Sequence, residues 1–160
     1  MSQHSSKTIS NLAGKLATVL LSKKLIMSTA ESCTGGWISQ CLTALPGSSQ
    51  WLDTGFVTYS NEAKQKLLDV PLEIFEVDGP GAVSEETVLA MTAGAIANSR
   101  ANVAVAVSGV AGPDGGSDDK PVGTVWIAWQ WQDKSRAKCF QFSGDREAVR
   151  LATVEAAIHG

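Results

Sequence analysis

The spacing of apolar residues in the first third of the chain predicts a helix, a strand and a second helix. Apolar positions recur at helical intervals over residues 5 to about 23, which indicates an amphipathic helix packed on a sheet. The continuous apolar run that follows, residues 25–29, is typical of a buried strand. Helical spacing returns from Thr34 and stops at Pro46-Gly47.

The middle of the chain predicts a strand, a short helix, a loop and a further helix. Residues 51–60 are rich in aromatic and β-branched side chains and predict a second strand. We expect Asn61 to cap a short helix after it. Residues 70–83 contain two prolines and two glycines and predict a loop. Ser84 then precedes an acidic first turn, Glu85-Glu86, which suits the N-terminus of a further helix.

The last third predicts a central strand, a long glycine-rich loop and a hairpin. Residues 101–107 are strongly apolar, whereas residues 108–123 hold five glycines and two prolines. Residues 125–131 and 137–142 predict two antiparallel strands joined by a polar turn at residues 132–135.

A closing helix is expected to start near Gly144-Asp145. The alternation of helices and strands, with one hairpin, predicts an α/β fold with a mixed sheet. No repeat or interdomain linker interrupts the pattern.

Composition narrows the class of protein. A chain of 160 residues with 44% hydrophobic and 18% charged residues predicts a single globular domain over residues 1–160. Without a signal-peptide pattern or a long apolar run, we expect a cytoplasmic protein that does not bind membranes. A net charge of −3 argues against nucleic acid as a partner. Three cysteines without C-x-x-C spacing argue against disulfides and zinc.

The residues that follow the first predicted strand carry the candidate chemistry. The segment TAESCTGG, residues 29–36, predicts an active-site turn with two possible nucleophiles, Ser32 and Cys33, and with backbone N–H groups open to an anion. The two histidines, His4 and His159, lie at the chain ends, so a histidine-based triad or metal site is not expected.

A serine nucleophile then needs another base, and Lys64 is the candidate. For Lys64 to act as a base near neutrality, its pKa must fall by roughly 3 units, which costs about 4 kcal/mol. Burial, the start of the Asn61 helix and Arg146 are expected to lower it.

Several other residues allow two interpretations. Glu31 is either a carboxylate that acts beside the nucleophile or a buried structural acceptor. Tyr59 is interpreted as a rim aromatic with its hydroxyl in water, and Arg146 with Arg150 as a solvated charged face that includes Glu147. The chain has no P-loop and no dinucleotide fingerprint, so the loop at residues 109–116 is either a surface turn or a ligand loop.

Taken together, these motifs closely resemble the CinA C-terminal domain family, in order and spacing, from about residue 10 to 158. The resemblance rests on residues 29–36, 46–49, 58–64, 109–116, 120–125 and 144–146. It implies a three-layer α/β/α sandwich that assembles as a homodimer. The family includes stand-alone enzymes that hydrolyse nicotinamide mononucleotide to nicotinate mononucleotide and ammonia, and this chain looks like that form. The implied activity requires no metal or organic cofactor.

The resemblance also implies roles for individual residues. Ser32 is the implied nucleophile, Lys64 the general base, Tyr59 a supporting hydroxyl and Arg146 a group that stabilises negative charge. The implied substrate-binding residues are Glu31, Cys33, Thr34, Gly35, Gly36, Ser48, Asn61, Ser108, Gly112, Gly115 and Gly116.

Two positions depart from the family pattern, because Ser108 stands where threonine is common and Asp114 where glycine is common. A carboxylate at position 114 would weaken phosphate binding unless it points away or pairs with Lys120. Two alternatives to the serine amidohydrolase stay open: a catalytically silent nucleotide-binding module and an amidase that depends on Cys33.

Overall fold

The computed structural model describes residues 3–160, with side chains from residue 7 onward. The side chain of His4, which the sequence placed at a chain end, lies outside the described ones. Residues 3–160 form five strands, five α-helices and two short 3-10 helices. In chain order the main elements are α1 (Gln3–Lys23), β1 (Met27–Glu31), α2 (Trp37–Thr43), β2 (Leu52–Val57), α3 (Asn61–Leu68), α4 (Glu85–Ala97), β3 (Val103–Gly109), β4 (Thr124–Trp131), β5 (Lys134–Gln141) and α5 (Arg146–His159); the 3-10 helices are Ser48–Gln50 and Leu72–Phe75.

The five strands form one mixed sheet in the order β2-β1-β3-β4-β5. β1 pairs in parallel with both β2 and β3, whereas β3, β4 and β5 pair antiparallel. The carboxyl ends of β1, β2 and β3 therefore share one edge of the sheet. The glycine-rich loop between β3 and β4 and the start of α5 meet this same edge.

The two faces of the sheet pack into two separate hydrophobic cores. Val105, Val107 and Ile127 pack with α1, α2 and α5 in one core. Ala104, Ala106 and other alanines of the sheet pack on the opposite face against α3 and α4. Because alternate residues of a strand point to opposite faces, these two cores make the sheet the middle layer of three. The expected three-layer α/β/α sandwich with a mixed sheet is confirmed.

Some predicted boundaries were wrong by a few residues. β1 begins at Met27 rather than residue 25, and α2 begins at Trp37 rather than Thr34. Asn61 is the first residue of α3 and not its cap; the Ser60 side chain accepts from the Ala63 N–H instead. The hairpin turn is shorter than expected, since β5 already begins at Lys134.

The starts of two other helices were predicted correctly. The Ser84 side chain accepts from the Thr87 N–H at the start of α4, and Asp145 accepts from the Ala148 N–H at the start of α5. No helix in residues 3–160 is both long and apolar enough to span a membrane.

Candidate active site

Three adjacent parallel strands end where the candidate residues lie. Ser32 follows β1, and its N–H donates to Val107 of β3 at 3.1 Å. Thr58 follows β2, and its N–H donates to the carbonyl of Glu31 at 2.9 Å. The parallel pairing thus continues one residue beyond the strands and fixes Ser32 and Thr58 side by side.

Lys64 and Ser32 are hydrogen bonded inside the protein. Lys64 Nζ lies 2.9 Å from Ser32 Oγ, and the lysine side chain is only 1% exposed. Nζ also donates to the carbonyls of Thr58 at 2.9 Å and Tyr59 at 3.2 Å. Since α3 begins two residues after Tyr59, the lysine one turn into the helix reaches back to these groups.

Burial sets the protonation behaviour of this lysine. Loss of hydration lowers the pKa of Lys64 from 10.5 to about 8, and the nearby Cys33 and Glu62 oppose that change only in part. The expected contribution of Arg146 is not found, because its guanidinium binds the Gly112 carbonyl and the Tyr59 hydroxyl instead.

Cys33 behaves differently from its neighbour Ser32. Its side chain is 6% exposed and belongs to the core formed with α1, α2 and α5. Burial raises the pKa of the Cys33 thiol from 9.0 to about 11. At pH 7 only about one thiol in ten thousand would be ionised. This environment disfavours the Cys33 amidase alternative.

Glu31 is fully buried and holds the start of α2. Its carboxylate accepts from the backbone N–H groups of Gly36, Ile38 and Ser39 at 2.8–3.1 Å. The hydroxyls of Thr34 and Ser39 also donate to it, at 2.6 and 2.9 Å. The interpretation of Glu31 as a buried structural acceptor is therefore the one that its contacts support.

This arrangement corrects the expected anion site. The sequence suggested that N–H groups at the α2 terminus are open to a ligand, but Glu31 already occupies those of Gly36, Ile38 and Ser39. In the turn between β1 and α2, the N–H groups of Cys33 and Thr34 donate to no other residue of the described chain; the Cys33 N–H faces its own thiol. Both residues follow directly on Ser32.

Arg146 and Arg150 line a polar cleft beside this turn. Arg146 donates to the Gly112 carbonyl at 2.7 Å and to the Tyr59 hydroxyl at 3.0 Å. Arg150 donates to the carbonyls of Cys33 and Thr34, both at 3.0 Å. The cleft holds about 540 Å³ and is lined by Thr34, Gly35, Gly36, Trp37, Arg146 and Arg150 among others.

The glycine-rich loop reaches the same edge. Ser108 is buried and donates to the Ala82 carbonyl at 2.7 Å. Gly112, Gly115 and Gly116 adopt positive φ angles of 80–87°, which glycine tolerates best, and the first of them meets Arg146. Of the two ways in which Asp114 could avoid weakening phosphate binding, pairing with Lys120 is not seen; Lys120 Nζ donates to the Pro80 carbonyl at 2.6 Å.

Ser48 is not brought to Ser32 within the chain. It lies in the 3-10 helix before β2, and that six-residue strand, roughly 20 Å long, separates it from Tyr59. Asn61 lies near the site at the start of α3, and its carbonyl accepts from Gln65.

Sequence reasoning missed one side chain and one backbone group of the site. Arg150 was interpreted with Arg146 as a solvated charged face of α5, and only its contacts with residues 33 and 34 show what it binds. The Thr58 carbonyl, which accepts from Lys64, has no sequence signal beyond its place at the end of β2. Among the side chains of residues 7–160, no cluster of acidic, histidine or cysteine groups has a metal-binding arrangement.

Comparison with known proteins identifies relatives over nearly the whole chain. Residues 9–160 match the sequence model of the CinA C-terminal domain. The chain is 53% identical over 152 residues to nicotinamide-nucleotide amidohydrolase PncC of Pseudomonas putida. The match covers 95% of this chain and 94% of that one. It is 48% identical to the protein of the same name from Escherichia coli K12, over 87% of this chain and 84% of that one.

Solved structures agree with these matches. The crystal structure of competence/damage inducible protein CihA from Agrobacterium tumefaciens superposes with a TM-score of 0.90 at 45% identity. The match covers 94% of this chain and 92% of that one. The fold seen here is thus shared by a protein of known structure.

Proposed function

The chain belongs to the CinA C-terminal domain family, and from that premise we propose that it is an amidohydrolase that converts nicotinamide mononucleotide and water to nicotinate mononucleotide and ammonia. The names of the two PncC relatives support the reaction class and the substrate. The reaction recycles a pyridine nucleotide for NAD metabolism.

One observation carries the proposed chemistry: the buried hydrogen bond of 2.9 Å between Lys64 Nζ and Ser32 Oγ. A neutral lysine amine has two N–H bonds and one lone pair. In the protonated form Nζ donates to Ser32 Oγ and to the carbonyls of Thr58 and Tyr59. In the neutral amine the two carbonyls accept from both N–H groups, and the lone pair accepts from the Ser32 hydroxyl. A buried lysine with a pKa of about 8 is neutral often enough to act as a base near neutrality.

The steps follow from this pair. Ser32 Oγ attacks the carboxamide carbon as its proton passes to Lys64 Nζ, and the negative charge moves to the carbonyl oxygen. Lys64 then gives the proton to the amide nitrogen, the C–N bond breaks, and ammonia leaves an ester on Ser32. Water attacks the ester with Lys64 again as base, and the nicotinate product leaves as the Ser32 hydroxyl is restored.

Two groups of contacts serve the negative charges of this substrate. The N–H groups of Cys33 and Thr34, which donate to no other residue of the described chain, receive the oxyanion. The phosphate lies in the polar cleft, where Arg146 is exposed and positively charged. Tyr59 holds Arg146 in place through its hydroxyl.

An ammonia-release assay tests the proposal. We expect release from nicotinamide mononucleotide, weaker release from the riboside and less still from free nicotinamide. Ser32→Ala removes the nucleophile and is expected to abolish release, whereas Ser10→Ala, on an exposed position of α1, leaves it unchanged. An active Ser32→Ala protein refutes the serine mechanism. Thermal stabilisation by the mononucleotide without ammonia indicates a silent binding module instead.

Two further parts of the proposal concern the cell and the assembly. We expect the enzyme to work in the cytoplasm, where its three free cysteines stay reduced. We also expect a homodimer. Sedimentation analysis of the purified protein measures this oligomeric state directly.

A further inference from the structure

The guanidinium of Arg150 is bound to the backbone that follows Ser32. Its Nε donates to the Cys33 carbonyl and its Nη2 to the Thr34 carbonyl, each at 3.0 Å. The guanidinium carbon lies 5.2 Å from the centre of the Trp37 ring, close enough for a cation–π contact. Arg150, on α5, thus binds the carbonyls of two successive peptide groups in the turn between β1 and α2.

Each carbonyl that Arg150 binds is connected through peptide groups to one of the two N–H groups that donate to no other residue of the described chain. The Cys33 carbonyl and the Thr34 N–H belong to the same peptide, in which they point in opposite directions because the peptide is trans. The Thr34 carbonyl shares its peptide with the Gly35 N–H, which donates to the Ser32 carbonyl at 3.0 Å. The Ser32 carbonyl in turn shares its peptide with the Cys33 N–H.

Two series of polarised peptides therefore connect the Arg150 guanidinium to two N–H groups that donate to no other residue of the described chain. Orientation follows from geometry, since a carbonyl fixed by the guanidinium fixes its own N–H on the far side. Polarisation follows from charge, since hydrogen bonds in series strengthen one another in a low-dielectric interior, and the first in each chain is made by a cation.

We propose that Arg150 is a positioning residue that orients and polarises the Cys33 and Thr34 N–H groups toward the oxyanion of the reaction. This inference rests on the proposed amidohydrolase function. It assigns Arg150 a different task from Arg146, which reaches Tyr59 and Gly112 at the exposed side of the cleft. Arg150 acts through the backbone, so its loss affects the transition state rather than substrate binding.

Steady-state kinetics of Arg150→Met separate these tasks. We expect kcat for nicotinamide mononucleotide to fall on the order of 100-fold, the cost of displacing a reacting group by about 1 Å, with KM little changed. Guanidinium chloride, at concentrations well below those that unfold the protein, is expected to restore part of kcat. A raised KM with unchanged kcat indicates a phosphate ligand and overturns the proposal, as does unchanged kcat and KM.

Arg136→Met is the matched control. Arg136 also stacks on an indole, with its guanidinium carbon 4.9 Å from the Trp129 ring centre, and also donates to a carbonyl, that of Gly160 at 2.9 Å. Its contacts lie away from Ser32, so we expect both kinetic constants to stay as in the unmodified protein. If Arg150→Met fails to fold, Arg150→Lys keeps the charge without the planar fork. A folded Arg150→Lys protein with full kcat overturns the proposal.

Amide NMR tests the relay without turnover. In Arg150→Met the amide protons of Cys33 and Thr34 are expected to move upfield relative to the unmodified protein, because their peptides lose a cationic donor. Unchanged shifts overturn the relay. If the unmodified protein releases no ammonia but these shifts occur, the proposed function fails and the relay stands.

Discussion

Lys64 Nζ and Ser32 Oγ lie 2.9 Å apart in the protein interior, although 32 residues separate them along the chain. The register of β1 with β2 brings the end of each strand together, and α3 returns Lys64 to that point. The pair exists because two loops leave neighbouring parallel strands at the same edge. Its protonation state is expected to control both activity and stability.

The pH dependence of kcat/KM is the first consequence. In the proposed mechanism the working form of Lys64 is the neutral amine, and burial lowers the pKa of Lys64 to about 8. We therefore expect kcat/KM to fall about tenfold per pH unit below pH 8 and to level off above it. Ammonia release measured from about pH 6.5 to about pH 9.5 checks this. A flat profile over that range contradicts the role of Lys64 as the base.

The same lysine makes stability depend on pH. Between pH 8 and 10.5 the unfolded chain still binds the Lys64 proton and the folded protein does not, so the free energy of unfolding rises with pH. The gain is about 3 kcal/mol over this window and is absent in Lys64→Met. Urea unfolding gives the free energy of unfolding of both proteins at a series of pH values, and the difference between them is the contribution of Lys64. Below pH 8 the difference is expected to stay constant, because both states are then protonated.

The sequence was sufficient to predict the α/β fold with a mixed sheet and to identify Ser32 and Lys64 as candidate residues. Periodicity predicted α1, α4 and α5 because each buries one stripe of apolar side chains, and the absence of a central histidine directed attention to Lys64. The strand ends were less certain, because the apolar run at residues 25–29 continues into polar residues that are buried only by the fold. Glu31 is the clearest case, since a buried carboxylate has no pattern of its own.

The roles of the two arginines could not be derived from their spacing. Arg146 and Arg150 lie four residues apart on α5, as they would on any solvated helix face. Their partners at Gly112, Tyr59, Cys33 and Thr34 are distant in sequence and become neighbours only when the sheet forms. Such contacts depend on tertiary packing, which local patterns do not encode.

Replacing the neighbouring thiol is expected to leave activity in place. Cys33→Ala removes a buried side chain whose thiol has a pKa of about 11, so we expect kcat within a few-fold of the unmodified protein and a stability loss of about 1 kcal/mol from weaker packing. Ammonia release and urea unfolding measure the two effects. Loss of activity in a folded Cys33→Ala protein, with retention in Ser32→Ala, favours the thiol mechanism instead.

Glu31→Gln tests the anchor of the active-site turn. The substitution keeps the shape of the side chain but removes its charge. Its amide NH₂ then faces either the N–H groups of Gly36 and Ile38, which bind Oε2, or that of Ser39, which binds Oε1. We expect the free energy of unfolding to fall by about 3 kcal/mol or more, because buried donors lose their acceptor. Glu76→Gln, at an exposed loop position, serves as the control and is expected to change stability by less than about 0.5 kcal/mol.

The hydrogen bond between the Tyr59 hydroxyl and Arg146 predicts coupled effects on substrate binding. The two atoms lie 3.0 Å apart, and the tyrosine side chain is 61% exposed, so Tyr59→Phe can remove the hydroxyl without opening the core. The Tyr59 carbonyl that accepts from Lys64 is kept. If the hydroxyl holds Arg146 against the substrate phosphate, Tyr59→Phe and Arg146→Gln each raise KM for nicotinamide mononucleotide.

The double variant is then expected to raise KM by less than the product of the two single effects, since both act through one contact. The riboside provides an internal control because it lacks the phosphate. With the riboside, both single variants are expected to leave KM close to that of the unmodified protein. Independent effects in the double variant, or an equal rise in KM for the riboside, would place the phosphate elsewhere and leave the Tyr59 hydroxyl to act at the carboxamide.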